Sequence, residues 1–219
     1  MKVAIIGGSG NIGKYFVDEA LARGHTVTAI VRHPEKITAK NTNLSIVKAD
    51  VLKGNVDKLV KGYDAVISAY NSTFGPGAYE EHVKAVTEIV NGCKKAGVRL
   101  LAQGGAASLE IAPGVEMYTK MFTKKSNNPD TAKWEGSVRG TRELLYMLRK
   151  EKGLKWTYIS PSGSLMPGER TGKYRVGKDT LLNNPDGSPS KLSLQDLAVA
   201  MIDELEKPKH TGERFTVAN

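Results

Sequence analysis

An internal disulfide is excluded, because the 219 residues of this chain include a single cysteine, Cys93. Nothing else points to an oxidising compartment, and a cytoplasmic location is the expectation. Cys93 lies in "HVKAVTEIVNGCKKAGV", where Val83, Val86, Val90 and Cys93 recur at helical spacing, so a small buried core residue is expected rather than a reactive thiol. Long apolar runs are also missing. No stretch approaches the roughly 18 apolar residues of a membrane span, and Gly7 and Gly8 break the first apolar run too early for a signal peptide. Zinc-finger spacing and aromatic RNA-binding motifs are absent as well. That absence matters, because 32 Lys and Arg against 23 Asp and Glu give a net charge of +9. Such an excess can serve nucleic acid, an anionic membrane or anionic small molecules. The charges are scattered apart from short clusters such as "TKKS" and "RKEK", which favours a solvated basic surface over a nucleic-acid partner. There is no internal repeat, low-complexity tract or disordered linker, and one domain over 1–219 is expected.

What is present alternates. Lys2 to Ile6 reads as a buried strand and Ile12 to Arg23 as an amphipathic helix closed by Gly24. "HTVTAIV" and "LSIVKADV" read as strands, "VDKLVKG" as a short helix and "DAVISAY" as a fourth strand. The helix of Cys93 follows, ended by Gly97, and then the strand "VRLLAQ". Residues 104–128 read as a loop with an apolar patch, "EMYTKMF". A long helix over "DTAKWEGSVRGTRELLYMLRKEKG" leads to a sixth strand, "KWTYIS", broken by Pro161. After a glycine-rich loop, Ser193 and Asp196 form a capping-box-like start to "LQDLAVAMIDEL", and "RFTVA" is the last strand. Strands alternating with helices predict a Rossmann-type, doubly wound, mostly parallel sheet with helices on both faces. Residues from about 161 to 219 are expected to form a small substrate-side portion.

The first strand runs into Gly7-Gly8-Ser9-Gly10-Asn11-Ile12-Gly13. A dinucleotide pyrophosphate needs a turn tight enough to bring backbone N–H groups and a helix N-terminus against it. Gly7 permits the sharp exit from the strand, Gly10 clears the space the phosphates approach, and Gly13 lets the helix pack close. After the second strand, where an acid would bind a free adenosine ribose, the chain reads Val31-Arg32-His33-Pro34-Glu35-Lys36. Arg32 matches a 2′-phosphate, and Lys36 adds a second positive charge one turn away. The expectation is a preference for NADP(H), with NAD(H) possible.

These residues resemble the atypical short-chain dehydrogenases/reductases, closest to the NADH-flavin reductase branch related to biliverdin/flavin reductases and NmrA-like proteins. The resemblance spans almost the whole chain. It is carried by "GGSGNIG", "VR" ending the second strand, "ADV" after the third, "GGAASLEIAPG", "WTYISPSGSLMPGERTGKYRVGKD" and the closing "LQDLAVAMIDELE…RFTV". It implies that Ser9, Gly10, Asn11 and Ile12 contact the pyrophosphate and Arg32 the 2′-phosphate. Asp50 and Val51 would border the adenine, Ala69 and Tyr70 the exit of the fourth strand, and Gly104, Gly105, Pro161 and Ser162 the nicotinamide.

One departure bears on the chemistry. The main short-chain dehydrogenases carry a Tyr-x-x-x-Lys pair whose tyrosine donates a proton to a carbonyl oxygen, whereas here Phe122 stands four after Tyr118 and Pro129 four before Lys133. Three catalytic candidates remain: Lys133 for the nicotinamide ribose or a solvated helix position, Ser108 for orienting a substrate or for a turn, and Tyr118 for a substrate wall or plain core. Reducing a ketone builds charge on one oxygen, so a placed proton donor contributes roughly 10²–10⁴-fold. A flavin or quinone spreads the charge over a ring system, and positioning supplies most of the catalysis. The leading expectation is therefore an NADPH-dependent reductase of a small flavin or quinone-like acceptor, as a monomer or homodimer. A non-catalytic, NADP(H)-sensing regulator of the NmrA-like kind is the alternative. A sugar-nucleotide or isoflavone-type reductase is disfavoured by the short C-terminal portion and by the lack of such a pair in the region of Tyr118 and Lys133.

Overall fold

A computed structural model of the chain describes residues 1–122 and 129–219, apart from the side chains of 129–133. The first half runs β1 (Lys2–Ile6), α1 (Gly13–Ala22), β2 (Thr26–Val31), β3 (Leu44–Lys48), α2 (Val56–Val60), β4 (Ala65–Ser68), α3 (Ala78–Ala96) and β5 (Arg99–Gln103). The second half runs β6 (Glu110–Ala112), β7 (Val115–Glu116), α4 (Met117–Phe122), α5 (Pro129–Lys150), β8 (Trp156–Pro161), β9 (Ser164–Met166), β10 (Arg175–Gly177), β11 (Lys191–Ser193), α6 (Leu194–Glu206) and β12 (Glu213–Ala218).

The central sheet has eight strands in the order β10-β12-β8-β5-β4-β1-β2-β3. All its pairs are parallel except β10 with β12. Parallel strands buried on both faces read as continuous apolar runs, which is why "KVAII" and "TVTAIV" were recognisable. Alternate residues of β1 serve two cores. Val3 and Ile5 pack with α1 and α6 (Phe16, Leu197, Met201), and Ala4 and Ile6 pack with α3 and α5 (Val86, Ile89, Leu145). Cys93 is fully buried in the second core, and burial pushes its thiol up to about 12.

Glycines set how closely the layers approach. Gly24 and Gly97 take positive φ, 78° and 69°, just past α1 and at the end of α3, as expected for helix C-termini. On α5, Gly136 and Gly140 face α3, where a Cβ at 140 would stand 2.4 Å from the Cβ of His82. Only glycine lets these two helices come so near.

Three sequence expectations change. The region after β5 is not simply loop: "MYTKMF" is the helix α4, and β6 and β7 form a small antiparallel pair. The glycine-rich stretch after β8 carries β9 and β11, paired in parallel, and β10 on the edge of the main sheet. The capping box of α6 is only half made. Ser193 Oγ accepts from Asp196 N at 2.9 Å, but the Asp196 carboxylate instead takes bonds from Thr171 Oγ1, Gly172 N and Asn219 Nδ2. Burial alone would raise its pKa, and these hydrogen bonds outweigh it, leaving Asp196 below the usual carboxylate range. Asp196 therefore ties the 171–172 turn and the C-terminus to α6. Among the described residues no helix is long and apolar enough to cross a membrane.

Candidate active site

The strand order reverses between β1 and β4, and open parallel sheets bind ligands beyond the carboxyl ends of the strands at that point. A cleft of about 1000 Å³ lies there. It is walled by the turn after β1, the ends of β2, β4 and β5, and one face of α5.

At one end the wall is backbone. Gly7 has φ 79°, and a Cβ on it would lie 2.8 Å from the Ala69 carbonyl oxygen. Gly13 is buried beneath the turn, where a Cβ would meet the Gly7 oxygen at 2.1 Å. Its role is to admit α1 against the turn itself. Gly10 lines the cleft and a Cβ there would meet only the Gly7 oxygen, at 3.2 Å, so the space it keeps open belongs to the cleft. Ser9, Asn11 and Ile12 line the cleft beside it. Among the described residues nothing accepts from the N–H groups of Asn11 and Ile12, and no side chain caps α1. Unpaired N–H groups at the positive end of a helix suit a phosphate.

Arg32 and Lys36 stand on the rim beyond β2, with His33 between them. The Arg32 side chain is 40% exposed, and its Nη1 lies 3.9 Å from Glu81 Oε1. Glu81 also accepts from Tyr70 Oη and Thr73 Oγ1, each at 2.9 Å. Burial, followed by this carboxylate, pushes the Tyr70 phenol well above its usual range. Ala69, Tyr70 and Val51 line the cleft. Asp50 does not. Its carboxylate accepts from Leu52 N at 3.1 Å and caps the short turn Val51–Lys53.

Gly104 and Gly105 line the middle of the cleft. Gly104 is required by packing, since a Cβ there would stand 2.0 Å from the Tyr158 ring. Pro161 and Ser162 are buried off the cleft wall, with Ser162 Oγ exchanging hydrogen bonds with the backbone of Leu182. Gly163 reaches the wall in their place.

The far end is built from side chains. Met117 and Met121 of α4 face Trp134, Ser137, Val138, Thr141 and Arg142 of α5 across it. Those five positions, at i, i+3, i+4, i+7 and i+8, form one stripe of the helix. Phe74, 67% exposed, stands at the mouth. Arg142 is compensated: its guanidinium bonds the Glu116 carboxylate and Tyr146 Oη and lies 4.0 Å over the Tyr118 ring. Burial opposes its charge, and Glu116 more than offsets that, so its pKa is raised.

The three catalytic candidates are not brought together on this wall. Ser108 is 3% exposed and is held by Arg214, whose Nη1 donates to its Oγ at 3.2 Å. Tyr118 sits behind the wall, donating to Glu135 at 2.7 Å, and burial with Glu135 pushes its phenol up to about 12. Lys133 lies outside the residues whose side chains are described. The α5 stripe and Phe74 line the cleft without being among the candidates the sequence offers. The stripe had a usable signal in its spacing. Phe74 had none, because its importance comes only from where the loop after β4 lands.

Comparison with known proteins agrees with this geometry. Residues 7–208 match a family model described as NAD(P)H-binding. A Bacillus subtilis (strain 168) protein, "Uncharacterized protein YwnB", is 37% identical over 100% of this chain and 99% of its own. A solved structure of a "putative epimerase" from Bacteroides thetaiotaomicron has a TM-score of 0.87 at 45% identity, over 99% of this chain and 96% of that one. That of a "putative NADH-flavin reductase" from Streptococcus pneumoniae TIGR4 has a TM-score of 0.82 at 33% identity, over 100% and 99%.

Proposed function

Since the chain belongs to the NAD(P)H-binding family, we propose that it is an NADPH-dependent reductase whose acceptor is a flavin or quinone-like ring system. The residues present suit the dinucleotide. The Gly7–Gly13 turn leaves a cradle that a Cβ would fill, and the N–H groups of Asn11 and Ile12 point no bond elsewhere among the described residues. Arg32 and Lys36 give the ribose end two cations, which favours a 2′-phosphate over a free hydroxyl. When bound, the nicotinamide supplies a hydride.

The observation that carries the acceptor class is the α5 stripe. Trp134, Ser137, Val138, Thr141 and Arg142 face the cleft, and among these no Tyr and Lys stand four apart. Ketone reduction without a placed proton donor forgoes roughly 10²–10⁴-fold in rate. Ring acceptors tolerate that loss, because charge delocalises and water can deliver the proton. Met117, Met121, Trp134 and Val138 then bind the acceptor ring and exclude water from its face, while Arg142, already paired with Glu116, adds no uncompensated charge. The solved relative named "a putative NADH-flavin reductase" supports the same class.

The test follows NADPH oxidation by the nicotinamide absorbance with FMN, riboflavin, simple quinones, aldehydes and ketones. Turnover with the first three is expected. Turnover confined to aldehydes or ketones overturns the acceptor class, and tight NADP binding with no turnover on any acceptor indicates a sensor instead.

A further inference from the structure

The acid that many dinucleotide sites carry after the second strand is missing from that position, but a carboxylate from another element lies beside the guanidinium of the arginine that stands there. Glu81, in the first turn of α3, lies 3.9 Å from Arg32 Nη1. It holds three cleft residues from separate pieces of chain: Arg32 beyond β2, Tyr70 at the end of β4 and Thr73 in the loop that follows. The Glu81 side chain is 23% exposed, and the helix N-terminus favours its negative charge.

We propose that Glu81 is a specificity-determining residue, which weakens the site's discrimination for a 2′-phosphorylated ribose by engaging the Arg32 guanidinium in a partial ion pair. This rests on the reading of Arg32 given above. A 2′-phosphate arriving at Arg32 competes with the Glu81 carboxylate for the same guanidinium and is repelled by it. A plain 2′-hydroxyl meets neither cost. Glu81 therefore narrows the gap between the two cofactor forms, while its bonds to Tyr70 and Thr73 keep the β4 exit in shape for both.

The experiment is a thermodynamic cycle on the full chain, with NADP⁺ and NAD⁺ as calorimetric probes. Glu81→Gln removes the charge and keeps an acceptor for Tyr70. It should raise NADP⁺ affinity about 2- to 5-fold, the size expected of a partly exposed pair, and leave NAD⁺ unchanged. In an Arg32→Ala background the same substitution should give no gain in the ratio. A ratio that stays the same or falls in Glu81→Gln, or a gain that persists without Arg32, overturns the role of Glu81 while leaving the Arg32 reading intact. If Arg32→Ala alone leaves the NADP⁺ to NAD⁺ ratio unchanged, the reading of Arg32 is wrong and the proposal falls with it.

Discussion

Two arginines mark the two ends of the cleft, and their surroundings differ. Arg32 is 40% exposed and, among the described residues, held only by a carboxylate at 3.9 Å, so its charge is available to a ligand. Arg142, 21% exposed, bonds the Glu116 carboxylate and Tyr146 and lies over the Tyr118 ring, so its charge is spent inside the protein. The cofactor end thus offers backbone N–H groups and loosely held cations, while the other end offers apolar side chains and a compensated wall. One end is suited to phosphates and the other to a flat, weakly charged ring. Affinity for the cofactor and choice of acceptor should therefore respond to different substitutions.

The largest effect expected is at the backbone end. Gly10→Val puts branched carbons where the phosphates approach but meets little of the protein, since the nearest atom to a Cβ is the Gly7 oxygen at 3.2 Å. NADPH affinity should fall about 100-fold or more, roughly 3 kcal/mol, with the thermal midpoint nearly unchanged. Unaltered affinity by calorimetry would mean that the turn does not face the pyrophosphate.

Both ends depend on the α3–α5 seam, where His82 packs against Gly140 and edge-on to Tyr70. Burial pushes the His82 imidazole down to about 4 from 6.5. Between those values the unfolded chain binds a proton that the folded protein does not. Stability is therefore fully present above about pH 6.5 and is lost as pH falls towards 4, by something on the order of 3 kcal/mol. Urea midpoints measured across that window should fall more steeply for the wild type than for His82→Phe. Parallel curves would show that the seam does not exclude the charge.

Arg32→Ala should weaken NADPH binding about 10- to 150-fold, the range of a charge-assisted hydrogen bond, and barely alter NADH. Equal binding of the two cofactors by the wild type would remove the distinction drawn for that end.

The contrast between the ends also explains what could be read from the sequence. The central sheet is made of unbroken apolar runs between glycines, so its strands and their order of alternation were visible in "KVAII", "TVTAIV" and "AVIS". The cofactor turn is specified by backbone shape, and shape leaves glycines at fixed places. The far end of the cleft depends on side chains that α4, α5 and the β4 loop bring together from residues 74 to 142, and no local pattern records that meeting. Ser108 and Tyr118 were natural candidates by residue type, yet Arg214 and Glu135 hold them behind the wall. Pro161 and Ser162 are buried off the wall, and Gly163 is the residue of that segment that lines the cleft. Gly104 lines the cleft, and the ring of Tyr158 requires a glycine there whatever the cleft binds.

Tyr118→Phe should have the smallest effect, and it separates the two views of the chemistry most sharply. The phenol donates to Glu135 at 2.7 Å, is pushed up to about 12 and does not line the cleft, while the ring supports Arg142. Phenylalanine keeps that ring and loses only the hydroxyl. If hydride passes to a delocalised acceptor, no protein acid is needed, and kcat with a flavin or quinone should stay within about 2-fold. Any change should fall on the acceptor KM, through slack in the Arg142–Glu116 pair. A dedicated proton donor would instead cost roughly 10²–10⁴-fold in kcat with KM little changed. A drop of that size would mean that Tyr118 turns into the cleft when the acceptor binds, and the acceptor would then be a carbonyl.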